Sequence, residues 1–282
     1  MTDAAATATV ELGGGVRMPR IGFGVFQLSD EDAERMSTVA LDAGYRSIDT
    51  AAGYANEAGV GRAVAAAADR GIPRSDIFVT SKLANVDQQG FDSALRAFDR
   101  SARLLGGAPD LYLIHWPIPA RGQYIDTWRA FVRLQQEGRL RSIGVSNFPP
   151  RLLHEIIDAT GVVPALNQIE LHPYLQQREA REVHARLGIA TEAWSPLGAG
   201  RGLLDDPVLT GIGSARGLTP AQVALAWSLA RGTIVIPKSA TPARVRENFA
   251  ARSVRLTEQD LERIDALDRG GRTGPDPEEF GA

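Results

Sequence analysis

The chain has 282 residues, no cysteine and a formal net charge of -3. That length supports a full hydrophobic core, and the missing cysteines exclude disulfides, thiolate nucleophiles and Cys-bound zinc. The 31 lysines and arginines are scattered, so no basic face marks nucleic acid or a membrane surface as a partner.

Residues Met1 to Thr7 carry neither the positive segment nor the apolar core of a secretion signal. No apolar run reaches the roughly 20 residues that span a bilayer. The expectation is a cytoplasmic protein.

Ala8–Met18, with Gly13-Gly14-Gly15 at its centre, predicts an N-terminal β-hairpin. From there strand and helix patterns alternate. Short apolar strands are expected at Arg20–Phe23, Ser47–Asp49, Ile77–Lys82, Leu111–Ile114, Ser142–Val145, Asn167–Glu170, Ala190–Trp194 and Ile234–Ile236. Amphipathic segments fill the gaps. Ser29 and the acidic turn Asp30-Glu31-Asp32 cap a helix to Asp42, stopped by Gly44. Further helices are expected at Asn56–Asp69, Phe91–Leu105, Ile125–Glu137, Pro149–Ala159 and Arg178–Leu187. Thr219-Pro220 and Thr241-Pro242 each open one more, with proline at the first helical position. A last helix starts from Thr257 and runs to Leu267, and Asp268–Ala282 reads as a loop-forming tail.

Eight strands alternating with eight helices are the pattern of a (β/α)8 TIM barrel, an α/β fold, here with an added hairpin, C-terminal helix and tail. No linker, repeat or low-complexity segment interrupts it, which predicts one domain over residues 1–282. The competing open doubly wound sheet usually carries a Gly-rich turn after its first strand. Gly22-Phe23-Gly24-Val25-Phe26-Gln27 lacks the third glycine, and Gly211-Ile212-Gly213-Ser214-Ala215-Arg216 lacks a preceding strand.

In a barrel the C-terminal strand ends form one rim, where active sites lie. Read around that rim, the chain offers Asp49 and Tyr54, then Lys82, His115, Ser146-Asn147, Gln168, Trp194 and Lys238-Ser239. Charges at buried strand ends are costly unless paired. Lys82 and Asp49, from adjacent strands, are expected to pair and to keep the lysine protonated. An ammonium beside Tyr54 is expected to lower the tyrosine pKa and make it a proton donor. His115 can hydrogen-bond a substrate carbonyl. The set suits protonation of an oxyanion as it forms on a carbonyl. It holds no hydrolase nucleophile, so the attacking group comes from outside, and a nicotinamide hydride fits. Lys238, Ser239 and Arg244, at a strand end and a helix start, suit a phosphate. A ribose 2′-phosphate is the natural ligand, which favours NADPH over NADH.

Several long motifs, in order, resemble the aldo-keto reductase family over nearly the whole chain, most closely its bacterial 2,5-diketo-D-gluconate reductase-like branch. They are Gly44-Tyr45-Arg46-Ser47-Ile48-Asp49-Thr50-Ala51 with Glu57 and Gly61, Leu113-Ile114-His115-Trp116-Pro117, Ile143-Gly144-Val145-Ser146-Asn147-Phe148, and Ile236-Pro237-Lys238-Ser239 with Pro242, Arg244, Glu247 and Asn248. The resemblance implies a catalytic tetrad of Asp49, Tyr54, Lys82 and His115, with Tyr54 as general acid in carbonyl reduction by NADPH. It implies that Ser146, Asn147 and Gln168 hold the nicotinamide carboxamide and that Trp194 stacks on the ring. It further implies that Ser195, Leu197 and the following loop cover the pyrophosphate, that Glu247 and Asn248 face the adenine, and that the protein is a monomer.

One position departs from the family pattern. Ala84 stands where relatives often carry a tryptophan that walls the substrate pocket, so a wider pocket is expected. Phe23, Phe26, Gln27 and Trp116 are the other pocket candidates, with the Pro117–Tyr124 loop and the tail. Glu170 and His172 are read as structural rather than as metal ligands, and no metal site is expected. His154 and His184 are read as solvated. Two competing functions remain open on the sequence: a non-catalytic NADP(H)-binding regulator, and a Schiff-base enzyme using Lys82. The expected Asp49 partner opposes the second, because such a lysine must be neutral to attack.

Overall fold

A computed structural model of the chain describes residues 9–281. The expectations for Met1 to Thr7, and for Ala8 in the hairpin, lie outside those residues. Strands β1 (Thr9–Glu11) and β2 (Arg17–Pro19) form the antiparallel hairpin. Its Leu12, Val16 and Met18 pack against Phe78, Leu111, Leu166 and Ile234, which stand at the starts of barrel strands. The hairpin thus plugs the N-terminal end of the barrel with apolar side chains and leaves the opposite end for chemistry.

The barrel strands are β3 (Phe23–Gly24), β4 (Ser47–Asp49), β5 (Phe78–Leu83), β6 (Leu111–Ile114), β7 (Ser142–Ser146), β8 (Leu166–Glu170), β9 (Ala190–Trp194) and β10 (Ile234–Val235). All neighbours pair in parallel, in chain order from β3 to β10. A parallel bridge between Ile21 and Val235 closes the ring. It is reinforced by Gly22 N donating to Val235 O at 2.9 Å and Val235 N donating to Arg20 O at 3.0 Å.

The first strand differs from the expected Arg20–Phe23. Its early residues pair with β10 and its late residues with β4, so the segment is staggered across the closure. Gly24 sits where a Cβ would meet Ile236 O at 3.0 Å, so a side chain would crowd the seam. Side chains alternate along a strand. Phe23 therefore points outward, 1% exposed, with its ring edge-on to Tyr45 at 6.0 Å. Its expected place in the substrate pocket is corrected to the core between barrel and helices.

The helices are α1 (Asp30–Ala43), α2 (Glu57–Ala66), α3 (Phe91–Leu105), α4 (Tyr124–Gln136), α5 (Pro150–Thr160), α6 (Arg178–Leu187), α7 (Pro207–Arg216), α8 (Pro220–Ala230), α9 (Pro242–Ala250) and α10 (Glu258–Asp265). Ser29 caps α1 and Gly44 ends it in the left-handed region, as the sequence predicts. Helix α2 is shorter than expected: bonds from Ala67 N to Val64 O and Arg70 N to Ala67 O tighten its end into a 3-10 turn. Helix α7 was not anticipated. Asp206 caps it by accepting from Val208 N, Pro207 occupies its first turn, and Leu209 and Ile212 are buried. Its two glycines weaken the helical signal in sequence. A Cβ on Gly213 would lie 2.6 Å from Leu218 O, so close packing by the next turn requires that glycine.

His184 is a second correction. It lies fully buried on α6, Nε2 at 2.9 Å from Asn167 Nδ2 and Nδ1 at 2.9 Å from Thr191 Oγ1. Burial and nearby Arg181 lower its pKa to about 4, so the ring is a neutral bridge between helix and sheet. Among the described residues no helix is long and apolar enough to cross a membrane.

Candidate active site

Asp49 ends β4, Lys82 is the next-to-last residue of β5, and His115 follows β6. Tyr54 ends a short 3-10 turn, Ala52–Tyr54, directly above β4. The parallel register carries all four to one end of the barrel. Lys82 Nζ donates to Asp49 Oδ1 at 2.6 Å, to Thr50 O at 2.9 Å and to Tyr54 Oη at 3.4 Å. Its side chain is fully buried. Burial works to lower the lysine pKa, but Asp49 and Tyr54 outweigh it and the net direction is upward. The ammonium is therefore retained, as expected.

His115 Nε2 lies 3.5 Å from Tyr54 Oη, with the two rings edge to face at 5.4 Å. Burial and Lys82 lower the histidine pKa to about 3, so the imidazole is neutral. The tyrosine departs from expectation. Lys82 does lower its pKa, but burial and the nearby Asp49 carboxylate act more strongly, and the net direction is upward. Tyr54 is a proton-loaded phenol held between an ammonium and a neutral imidazole.

Gln168 extends this network across the barrel. Its Nε2 donates to Asp49 Oδ2 at 2.8 Å and to Glu192 Oε2 at 2.7 Å. Ser146 Oγ donates to Gln168 O at 2.9 Å, and Asn147 Nδ2 donates to Ser146 Oγ and to His115 O, each at 3.0 Å. Trp194 Nε1 donates to Asn147 Oδ1 at 2.8 Å. The structure thus joins the expected carboxamide residues and the expected stacking residue to the tetrad. Ser195 and Leu197 begin the loop between β9 and α7, with Ser195 at φ 49°.

The phosphate candidates form a second group. Lys238 and Arg244 are exposed and make no ion pair among the described residues. They flank the start of α9, whose Thr241 gives its first turn no side-chain cap; Ser239 is buried beside it and accepts from Thr241 N at 3.0 Å. Two free cations and open helical N–H groups suit a phosphate. Glu247 accepts from Thr219 Oγ1 at 2.7 Å, which ties it to the cap of α8, and Asn248 is buried.

At the substrate side, Phe26 is exposed and its ring lies 5.0 Å from that of Tyr54. Gln27 is exposed beside it at φ 60°. Ala84 directly follows β5 and is 8% exposed. Trp116 packs on Phe280 of the tail at 4.3 Å and lies 6.4 Å from Trp194.

One residue, Glu192, escaped the sequence reading, and Glu170, read there as structural, has partners that the sequence did not reveal. Glu192 sits fully buried in the middle of β9, and a lone charge inside an apolar strand was the available signal. Glu170, with His172 Nε2 at 3.1 Å, anchors the tail. It accepts from Thr273 N at 2.7 Å, Thr273 Oγ1 and Gly274 N at 3.0 Å. A Cβ on Gly274 would lie 2.5 Å from Trp194 Cη2, so the anchored tail lies directly on the indole and only glycine fits there.

Known proteins resemble this chain over most of its length. The model of the aldo/keto reductase family matches residues 20–269. An aldo-keto reductase of Mycolicibacterium smegmatis is 54% identical over 272 residues, covering 96% of this chain and 97% of the relative. Methylglyoxal reductase DkgA of Yersinia pestis is 47% identical over 274 residues, covering 97% of each. The crystal structure of an aspartate-to-alanine mutant of Gox0644 in complex with NADPH superposes with a TM-score of 0.91 at 46% identity, covering 97% of this chain and 98% of that one. The chain belongs to the aldo/keto reductase family.

Proposed function

We propose that the protein reduces aldehydes or ketones to alcohols with NADPH, and that Tyr54 is the general acid. The carrying observation is the position of the Tyr54 hydroxyl, 3.4 Å from Lys82 Nζ and 3.5 Å from His115 Nε2. Bound NADPH would supply the hydride. The chain's own residues handle the oxygen. A carbonyl oxygen placed between Tyr54 and His115 takes the phenol proton as negative charge develops on it. The buried Lys82 ammonium stabilises the phenolate left behind, and Asp49 keeps that ammonium charged. These donors are held in place before reaction, so little reorganisation is needed when charge moves.

Lys238, Ser239 and Arg244 would hold the 2′-phosphate, Ser146, Asn147 and Gln168 the carboxamide, and Trp194 the ring face. Ser195 and Leu197 would border the pyrophosphate, and Glu247 and Asn248 the adenine. The solved relative with NADPH supports the cofactor. A cytoplasmic monomer acting on a small carbonyl compound, without nucleic-acid or membrane partner, belongs to the same reading. The relative named methylglyoxal reductase points to small dicarbonyl compounds as the first substrates to try.

The test is a fluorescence titration with NADPH and NADH, followed by turnover on a carbonyl panel with the preferred cofactor. Tight NADPH binding with no turnover on any carbonyl would instead favour a non-catalytic regulator.

A further inference from the structure

Glu192 is the strand partner of Gln168 in the β8–β9 pairing. Gln168 Nε2 carries two hydrogens. One goes to Asp49 Oδ2 and the other to Glu192 Oε2. Asp49 is the ion-pair partner of Lys82, so an amide oxygen turned toward it would face negative charge. The nitrogen must therefore point inward, and Gln168 Oε1 is left on the other side, where no donor among the described residues reaches it.

The neighbouring polar groups are already committed. Asn147 spends its nitrogen on His115 O and Ser146 Oγ and its oxygen on Trp194. Ser146 donates to the Gln168 backbone. Gln168 Oε1 is the open acceptor of this cluster. An acceptor recognises the NH2 of a carboxamide and offers nothing to its oxygen.

Glu192 itself gains little from its place. Its Oε1 is buried without a hydrogen-bond partner. Burial and the nearby Asp49 push its carboxyl well above the usual carboxylate range, against the smaller opposing effects of Gln168 and Lys82. The protonated form still accepts through Oε2 and adds no second negative charge beside Asp49. A buried, half-satisfied polar group costs stability, and orienting Gln168 is what it does in return.

We propose that Glu192 is a positioning residue that, together with Asp49, locks the Gln168 amide with its carbonyl outward to accept the carboxamide NH2 of the nicotinamide. The proposal rests on the reading that Gln168 meets the nicotinamide. It concerns binding, so it can be measured without turnover.

The experiment titrates the full chain by calorimetry with NADP+ and with its 3-acetylpyridine analogue, which keeps the carbonyl and lacks the NH2. The wild type is expected to prefer NADP+ by roughly 3- to 10-fold, the worth of one such hydrogen bond. Glu192→Gln, whose amide oxygen can still accept from Gln168, should keep that preference. Glu192→Met, similar in volume and without an acceptor oxygen, should lose it by weakening NADP+ alone; Glu192→Ala serves if the Met variant does not fold. A preference that survives in Glu192→Met overturns the proposal by itself. An equal loss of both ligands marks a merely structural role and also overturns it. No preference in the wild type overturns the Gln168 reading beneath it, and the proposal with it.

Discussion

Lys82 and Asp49 form a buried ion pair across adjacent strands, Nζ to Oδ1 at 2.6 Å, with side chains 0% and 3% exposed. Removing one partner of such a pair leaves an uncompensated charge. Asp49→Asn is expected to destabilise the fold by about 3–5 kcal/mol, while also slowing turnover because Lys82 then tends toward its neutral form. Urea denaturation and steady-state kinetics on the same variant check both effects. An Asn variant of wild-type stability and rate would mean that the pair has neither role.

Tyr54→Phe removes the phenol and little else. Turnover should fall by about 10²–10⁴-fold, the usual contribution of a positioned general acid, with NADPH affinity retained. Stopped-flow reduction and a fluorescence titration separate the two. A near-normal rate would sink the assignment.

Arg244→Ala should weaken NADPH by roughly 10- to 100-fold, as expected for loss of a charge-assisted contact, and leave NADH nearly unchanged. The pair of dissociation constants decides it. Equal weakening of both would remove the 2′-phosphate from Arg244.

Glu170 links tail docking to pH. Burial pushes its pKa up, but hydrogen bonds from His172, Thr273 and the Thr273 and Gly274 amides outweigh it and hold it at about 2, below the ordinary 4.5. A depressed carboxylate contributes stability that is full above the unfolded value and is lost as pH falls through the folded one. Glu170→Gln should therefore be less stable than wild type at neutral pH, with the gap closing between about pH 4.5 and pH 2. Chemical denaturation across that window reads the difference. A gap independent of pH would show that the carboxylate charge plays no part in anchoring the tail.

Ala84→Trp places a large flat side chain just past β5, near the tetrad lysine. It should narrow the range of carbonyl compounds turned over, with bulky ketones losing kcat/KM more than small aldehydes. An unchanged profile across a panel would put residue 84 outside the pocket.

Local signals were enough for much of this protein. Ser29 and Gly44 bound α1 because caps and left-handed stops are short-range chemistry. The apolar run of β6 announces a strand buried on both faces. Asp49, Lys82 and His115 could be grouped because a parallel barrel brings every strand's C-terminal end to one rim. The closed barrel decided the rest. Phe23 faces outward because the stagger at the seam with Val235 sets its side, which no run of neighbouring residues encodes. Helix α7 exists because Leu209 and Ile212 find a core to enter, despite two glycines. His184 is buried by Asn167 and Thr191, which belong to strands that α6 covers. The Tyr54 pKa moves upward because burial, a property of the packed site, acts more strongly than Lys82. Asp49, Gln168 and Glu192 meet inside the barrel although 119 residues separate the first two in the chain. Residue types and local periodicity specify which elements form and which end of the barrel is polar; ring closure and burial set which atoms touch and which groups keep their protons.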